Sequence, residues 1–220
     1  MKATLSDIQQ WLTEKGEPKF RFRQIQHAWY QKKDWSGVQV LPKALREEAT
    51  QHFPWMSLTE SKIFVSPSDG TEKALLKLSD EQLIETVLMP NARDKWTVCI
   101  SSQVGCGMGC TFCATGTMGF KRDLSVDEIV DQVRFWKFRN PAQTISNIVF
   151  MGMGEPLANY DAVVAAAKIF NEDMQISITR ITISTVGFRP GLKRILEDKE
   201  FPRVRLAFDH GGQGDGDTGP

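Results

Sequence analysis

The chain has 220 residues and balances 27 Lys and Arg against 27 Asp and Glu, so any nucleic-acid contact must come from local basic patches rather than from overall charge. Hydrophobic content of 41% and charged content of 25% describe an ordinary globular protein, either one medium domain or a small domain plus a larger one. No apolar run approaches the roughly 20 residues of a membrane span, and the first residues lack a signal peptide's apolar core. A cytoplasmic location and no membrane partner are therefore expected.

Residues 1–55 read as a small helical domain. Ser6 with Gln9 is a candidate capping box, Ile8, Trp11 and Leu12 form an apolar stripe, and Gly16 is a stop. Phe22, Ile25 and Trp29 share one face of a second helix. A third runs from about Pro42, suited to a first helical position, through Leu45 towards His52 and Phe53. Lys19, Arg21, Arg23, Lys32 and Lys33 surround the second helix. They form either a solvated face or a surface that contacts the phosphates of RNA or DNA.

From 56 to 95 the pattern becomes extended. Ile63–Val65, Ala74–Leu78 and Leu83–Met89 are short apolar runs separated by turn signals at Ser68-Asp69-Gly70 and Ser79-Asp80-Glu81, a strand meander. From 96 to 207 strand and helix alternate. Thr97–Ser101, Asn147–Phe150, Arg180–Ser184 and Val204–Ala207 are the strands, and helices near 125–138, 160–170 and 191–196 separate them. Ser125 with Glu128 caps the first of these helices. Such β-α units imply parallel strands. About four fit, against eight in a complete α/β barrel, so the fold class is α/β with a partial barrel.

Three of the four cysteines, Cys106, Cys110 and Cys113, fall in one loop with C-x3-C-x2-C spacing and no histidine nearby. Disulfides between such close cysteines would be strained, and a structural zinc site wants four ligands. An iron-sulfur cluster is held by thiolates at short spacings of this kind, and three cysteines leave one iron open. Gly105, Gly107 and Gly109 would let the backbone wrap closely around a bulky cofactor. A zinc site borrowing a distant fourth ligand is the alternative that spacing leaves.

With Phe112 just before the last cysteine, this loop resembles the signature of radical S-adenosylmethionine (SAM) enzymes. In that family the SAM amino and carboxylate groups chelate the open iron, and a cluster electron cleaves SAM to a 5′-deoxyadenosyl radical. Further motifs narrow the resemblance. Cys99–Cys106, Met151-Gly152-Met153-Gly154-Glu155-Pro156-Leu157, Thr182–Gly187, Ser68–Lys73 and Leu41–Arg46 are similar, in this order along residues 5 to 207, to the RlmN/Cfr family of RNA methyltransferases.

That resemblance implies a [4Fe-4S] cluster and SAM as cofactors, 23S rRNA and in one branch tRNA as partners, and an electron donor such as flavodoxin. It implies methyl transfer to C2 of an adenine, a carbon too weakly nucleophilic for ordinary SAM methylation. One SAM methylates a cysteine near the C-terminus, and a second supplies the radical that takes hydrogen from that methyl. The carbon radical adds to C2, and a second cysteine resolves the adduct after deprotonation at C2. Carried over by motif, Cys106, Cys110 and Cys113 hold the cluster. Gly154 and Glu155 meet the SAM amino group, Ser184 contacts SAM, Glu85 is the proton acceptor and Cys99 the resolving cysteine. On residue chemistry alone, Glu85 also fits a surface strand position and Cys99 a core one.

After Ala207 the sequence departs from the family. Residues 208–220 hold five glycines in the last ten and are expected to be a disordered, non-family tail, with the chain a truncated copy. All four cysteines already have roles, so none is left to carry the methyl group, and this polypeptide alone is expected not to complete the transfer. The alternative function is a non-catalytic remnant that binds RNA or a cluster.

Overall fold

The computed structural model describes residues 4–92 and 94–209. Helices α1 (Leu5–Glu14), α2 (Lys19–Trp29) and α3 (Lys43–His52) open the chain. The first helix starts earlier than the sequence suggests. Thr4 caps it, its Oγ1 accepting from the Asp7 backbone N–H at 3.1 Å while Asp7 Oδ2 accepts from the Thr4 N–H at 2.8 Å. Ser6 lies inside the helix, because an aspartate three residues after the cap does the work expected of Gln9 and adds a negative charge to the first turn. Pro42 sits one position earlier than expected, at the N-cap of α3.

The meander follows as β1 (Leu58–Val65), β2 (Glu72–Leu78) and β3 (Leu83–Asn91), then β4 (Lys95–Cys99). A short antiparallel hairpin, β5 (Gln103–Gly105) and β6 (Phe120–Asp123), brackets the cysteine loop, which contains α4 (Ala114–Thr117). Then come α5 (Val126–Arg139), β7 (Ile145–Phe150), α6 (Tyr160–Glu172), β8 (Ile181–Thr185), α7 (Arg189–Glu197) and β9 (Arg205–Phe208). Seven strands form one sheet in the order β1-β2-β3-β4-β7-β8-β9. The first four pair antiparallel, and β4, β7, β8 and β9 pair parallel. The four parallel strands match the expected partial barrel, and the sheet does not close on itself among the described residues. The meander continues the same sheet across β3 and β4, so no break in pairing falls at residue 95. At the other end, β9 runs to Phe208 and the Asp209 N–H donates to the Thr185 carbonyl at 3.0 Å, two residues into the expected tail. The rest of that tail, 210–220, lies outside the described residues.

Strand alternation divides the sheet into two faces. Ile84, Leu88, Val98, Ile148, Phe150, Ile181 and Ile183 are buried on the helix side. Glu85, Val87, Cys99, Val149, Thr182 and Ser184 point to the other face and stay half-exposed. The Ser125 capping box is present as expected, with Glu128 as its partner.

The helical module is fastened to the barrel by α5. Trp29, Trp35 and Trp55 form a cluster with ring centroids 4.5 to 6.2 Å apart. Arg134 of α5 enters it fully buried, with its guanidinium 4.9 Å from the Trp29 ring centroid and Nη2 donating to the Trp55 carbonyl at 2.9 Å. It also pairs with Asp131, whose Oδ2 accepts the Ser57 N–H at 2.6 Å. Lys137 Nζ donates to the Tyr30 carbonyl at 3.0 Å. One apolar core therefore runs from Ile8 to Ile183 with no gap at the expected boundary near residue 55.

Asp127, at the start of α5, is pushed up to about 6 by burial first and then by the Asp131 charge. Because the folded value lies above the unfolded one, its stabilising contribution is present at low pH and is lost as pH rises from about 4 through 6. Asp127→Asn is expected to raise stability by about 1–2 kcal/mol at pH 8 and by little at pH 4. Urea denaturation midpoints at the two pH values measure the difference, and equal gains at both would refute it.

Candidate active site

The cysteine loop is held at both ends. Ser101 Oγ donates to the Glu85 carbonyl at 2.6 Å and accepts the Met153 N–H at 2.9 Å, and Gln132 Oε1 accepts the Ser101 N–H at 2.8 Å. Gly105 has φ of +75°, and a Cβ there would lie 1.8 Å from the Gly119 carbonyl oxygen, so the two arms of the hairpin can meet only at a glycine. The Cys106 N–H donates to that same oxygen at 3.1 Å. Of the two glycines between the first cysteines, Gly109 takes positive φ and Gly107 does not. On the far side, Arg122 of β6 donates to Asp80 at 2.7 Å and to Glu128 at 2.9 Å, tying the loop's exit to the meander turn and to α5.

Cys106, Cys110 and Cys113 line one cavity of about 310 Å³ together with Gly154, Glu155 and Ser184. The sequence-derived metal and cofactor residues thus converge. Exposed Phe112, Met151, Val186 and Phe208 surround them as an apolar rim. Glu155 is buried, and both of its oxygens are anchored. Oε1 accepts the Leu157 N–H at 2.9 Å, and Oε2 accepts the Val186 N–H at 3.0 Å. A carboxylate has about four lone-pair positions, so each oxygen keeps one for a ligand.

Sequence reasoning assigned no role to Gln103, which the structure places between the cysteine loop and the Gly154-Glu155 turn. Its side chain is 3% exposed. Nε2 donates to Asp123 Oδ1 at 2.8 Å, and Oε1 accepts the Glu155 N–H at 2.9 Å. The only advance signal was its position inside the Cys99–Cys106 motif, and spacing does not say what a glutamine there touches.

Glu85 and Cys99 do not line the cavity. They share the half-exposed face of the sheet, since Cys99 pairs in register with Val87 and Glu85 lies two residues from Val87 on the same side. Glu85 Oε1 accepts from Lys73 Nζ at 3.1 Å, with both side chains nearly half-exposed. The Cys99 thiol is pushed up to about 11 by burial, partly offset by the Met151 N–H. It stays protonated through neutral pH, so its alkylation by iodoacetamide should be slower at pH 8 than that of a free cysteine and rise until about pH 11. Mass spectrometry of the Cys99 peptide reads this rate, and a plateau near pH 8.5 would contradict the shift.

Among the described residues, no group of three or more His, Cys, Asp or Glu converges on a single metal-ion position. The Cys106 thiol is held above its ordinary value by burial foremost and also by Cys110, Cys113 and Glu155. Three ionised thiols beside a carboxylate repel one another unless a cationic group sits among them.

A family model of the radical SAM superfamily matches residues 100–212. The chain belongs to that superfamily. The cofactors of radical SAM proteins are a [4Fe-4S] cluster and SAM, and the three thiols, the open cavity and the anchored carboxylate fit both. The chain is also similar to the probable dual-specificity RNA methyltransferase RlmN of Synechococcus elongatus, with 43% identity over 93% of this chain and 56% of that protein. It is 44% identical to the dual-specificity RNA methyltransferase RlmN of Halorhodospira halophila, over 82% of this chain and 51% of the relative. The crystal structure of a radical SAM methyltransferase from Sphaerobacter thermophilus superposes with a TM-score of 0.81 at 40% identity, covering 94% of this chain and 62% of the other. The chain therefore spans about half the length of the curated relatives it matches. Among the described residues, no helix is long and apolar enough to cross a membrane.

Proposed function

We propose that this chain is the cluster-binding and SAM-binding portion of a cytoplasmic radical SAM methyltransferase that acts on C2 of an adenine in 23S rRNA and tRNA. The observation that supports it best is the convergence of Cys106, Cys110, Cys113, Glu155 and Ser184 on one cavity, with Gly154 beside them. When bound, the cluster supplies, from a donor such as flavodoxin, the electron that cleaves SAM. Cys106, Cys110 and Cys113 would hold it through their thiolates, three ligands that would leave one iron for SAM. The Gly154-Glu155 turn receives the SAM amino group, the carboxylate accepting from the ammonium through the lone pairs that Leu157 and Val186 leave. Ser184, on the open face of β8, contacts SAM further along. Phe112, Met151, Val186 and Phe208 would form an apolar rim around bound SAM.

Glu85 and Cys99 act on the RNA adduct from the same face of the sheet, Glu85 taking the C2 proton and Cys99 resolving the adduct. RNA phosphates meet the helical module through exposed Lys19, Arg23, Lys32 and Lys33. Arg21 beside them is tied locally, its Nη1 donating to Gln24 Oε1 at 3.1 Å and to the Val40 carbonyl at 3.0 Å.

The test is anaerobic incubation of the reconstituted, reduced chain with SAM and an rRNA fragment containing the target loop. Release of 5′-deoxyadenosine without methylated adenine is expected, because all four cysteines are committed to the cluster and to adduct resolution and none remains to carry the methyl group. Absence of 5′-deoxyadenosine would sink the proposal in favour of a remnant that only binds.

A further inference from the structure

We propose that Gln103 is a positioning residue that sets the SAM-binding turn against the cluster loop; the inference rests on the reading of the cavity as a cluster and SAM site. Cysteines and carboxylate come from different parts of the chain. The cysteines follow β5, whereas Glu155 follows β7, so their relative placement must be fixed by contacts between the two segments. Backbone bonds bring the segments together, since the Ser102 and Gln103 N–H groups both reach the Met153 carbonyl, at 2.8 and 3.2 Å. They leave rotation of the next two residues unfixed. Gln103 completes the restraint from three directions. Its Oε1 accepts the Glu155 N–H at 2.9 Å, its Nε2 is oriented by Asp123 Oδ1 at 2.8 Å, and its Cβ and Cγ pack on Gly154, where an added Cβ would lie 2.5 Å and 2.7 Å away.

The orientation of the amide is itself determined. Asp123 is acceptor-only when ionised, so it holds the NH2 end, which turns the oxygen towards the Glu155 N–H. Asp123 lies on β6, paired directly opposite Gln103 on β5, so the hairpin that bounds the cysteine loop carries the restraint. A shift of the loop therefore moves Glu155, and SAM bound at Glu155 stays in register with the open iron. No hydrogen bond from Gln103 reaches a cysteine among the described residues, so its effect on SAM passes through the Gly154-Glu155 turn.

Gln103→Met keeps the length of the side chain and its packing on Gly154 while removing both hydrogen bonds. On the reconstituted chain it is expected to leave iron content and the thermal midpoint near those of the wild type and to weaken SAM binding about five- to tenfold, measured by anaerobic equilibrium dialysis. In the chain without cluster, hydrogen exchange at the Glu155 amide should speed up by a similar factor, the worth of one buried hydrogen bond. Gln103→Glu should weaken SAM binding more, by facing Asp123 with a second carboxylate, and Asp123→Asn in the same chain should restore much of it by returning a donor to the pair. Unchanged SAM affinity in Gln103→Met overturns the proposal, as does iron content falling in step with affinity, which would mark a general structural role. Should the wild-type chain take up no iron, the proposed function fails, and exchange at the Glu155 amide then decides alone for Gln103: faster exchange upholds the restraint and unchanged exchange overturns it.

Discussion

Arg134→Ala should cost about 3–5 kcal/mol of stability, the usual consequence of removing one partner from a buried ion pair. The Arg134 side chain has no exposed area and that of Asp131 has 3%, so the carboxylate left behind has no water to turn to. The substitution also frees the Trp55 carbonyl and empties the space against the Trp29 ring. A loss of this size is a large part of the 5–15 kcal/mol that holds a typical domain together. Urea denaturation followed by tryptophan fluorescence is well suited, since Trp29, Trp35 and Trp55 pack at the site of change. Pairing Arg134→Met with Asp131→Leu should cost clearly less than the two single changes added together, because the double variant leaves no buried charge unpaired. Additive losses would mean that Arg134 and Asp131 do not depend on each other for their place in the core.

Gly154→Ala is the second large effect, expected to cost roughly 2–6 kcal/mol by combining backbone strain with overpacking. Gly154 has φ of +98°, which an L side chain rarely adopts, and the new Cβ would lie 2.5 Å from Gln103 Cβ and 2.8 Å from its backbone nitrogen. Neither neighbour is the loose end of a side chain, so the Met153–Glu155 turn has to move, and SAM binding is expected to fail with it. Gly187→Ala is the control. Its φ of +87° carries similar backbone strain, but nothing lies within 4 Å of its Cβ, so about 1 kcal/mol is expected. Equal denaturation midpoints for the two variants would show that the close approach to Gln103 does not matter.

Much of this arrangement could be read from residue order, and what could not has identifiable causes. The helices with apolar periodicity and the meander with turn signals lie where their patterns place them, since each pattern reflects a single buried face. Hairpin β5–β6 escaped notice because strands of three and four residues hold too few positions to show alternation. Arg134 stands four residues after Val130, on the buried side of α5, but a lone arginine at such a position reads as surface until its partners are known. The continuous core and sheet across residues 55 and 95 depend on pairings between distant segments, and composition carries no trace of them. Among the site residues, the three cysteines were legible from spacing alone. Gly154, Glu155 and Ser184 needed the resemblance to place them, and the cavity then gathered them. Gln103 stands inside a motif whose spacing gives no sign of its bonds to Asp123 and to the Glu155 N–H.

The measurement that bears most directly on the cluster and its open iron is electron paramagnetic resonance of the anaerobically reconstituted, reduced chain with and without SAM. A reduced-cluster signal that changes when SAM is added is expected. A chain that takes up no cluster, or whose signal is indifferent to SAM, would contradict it.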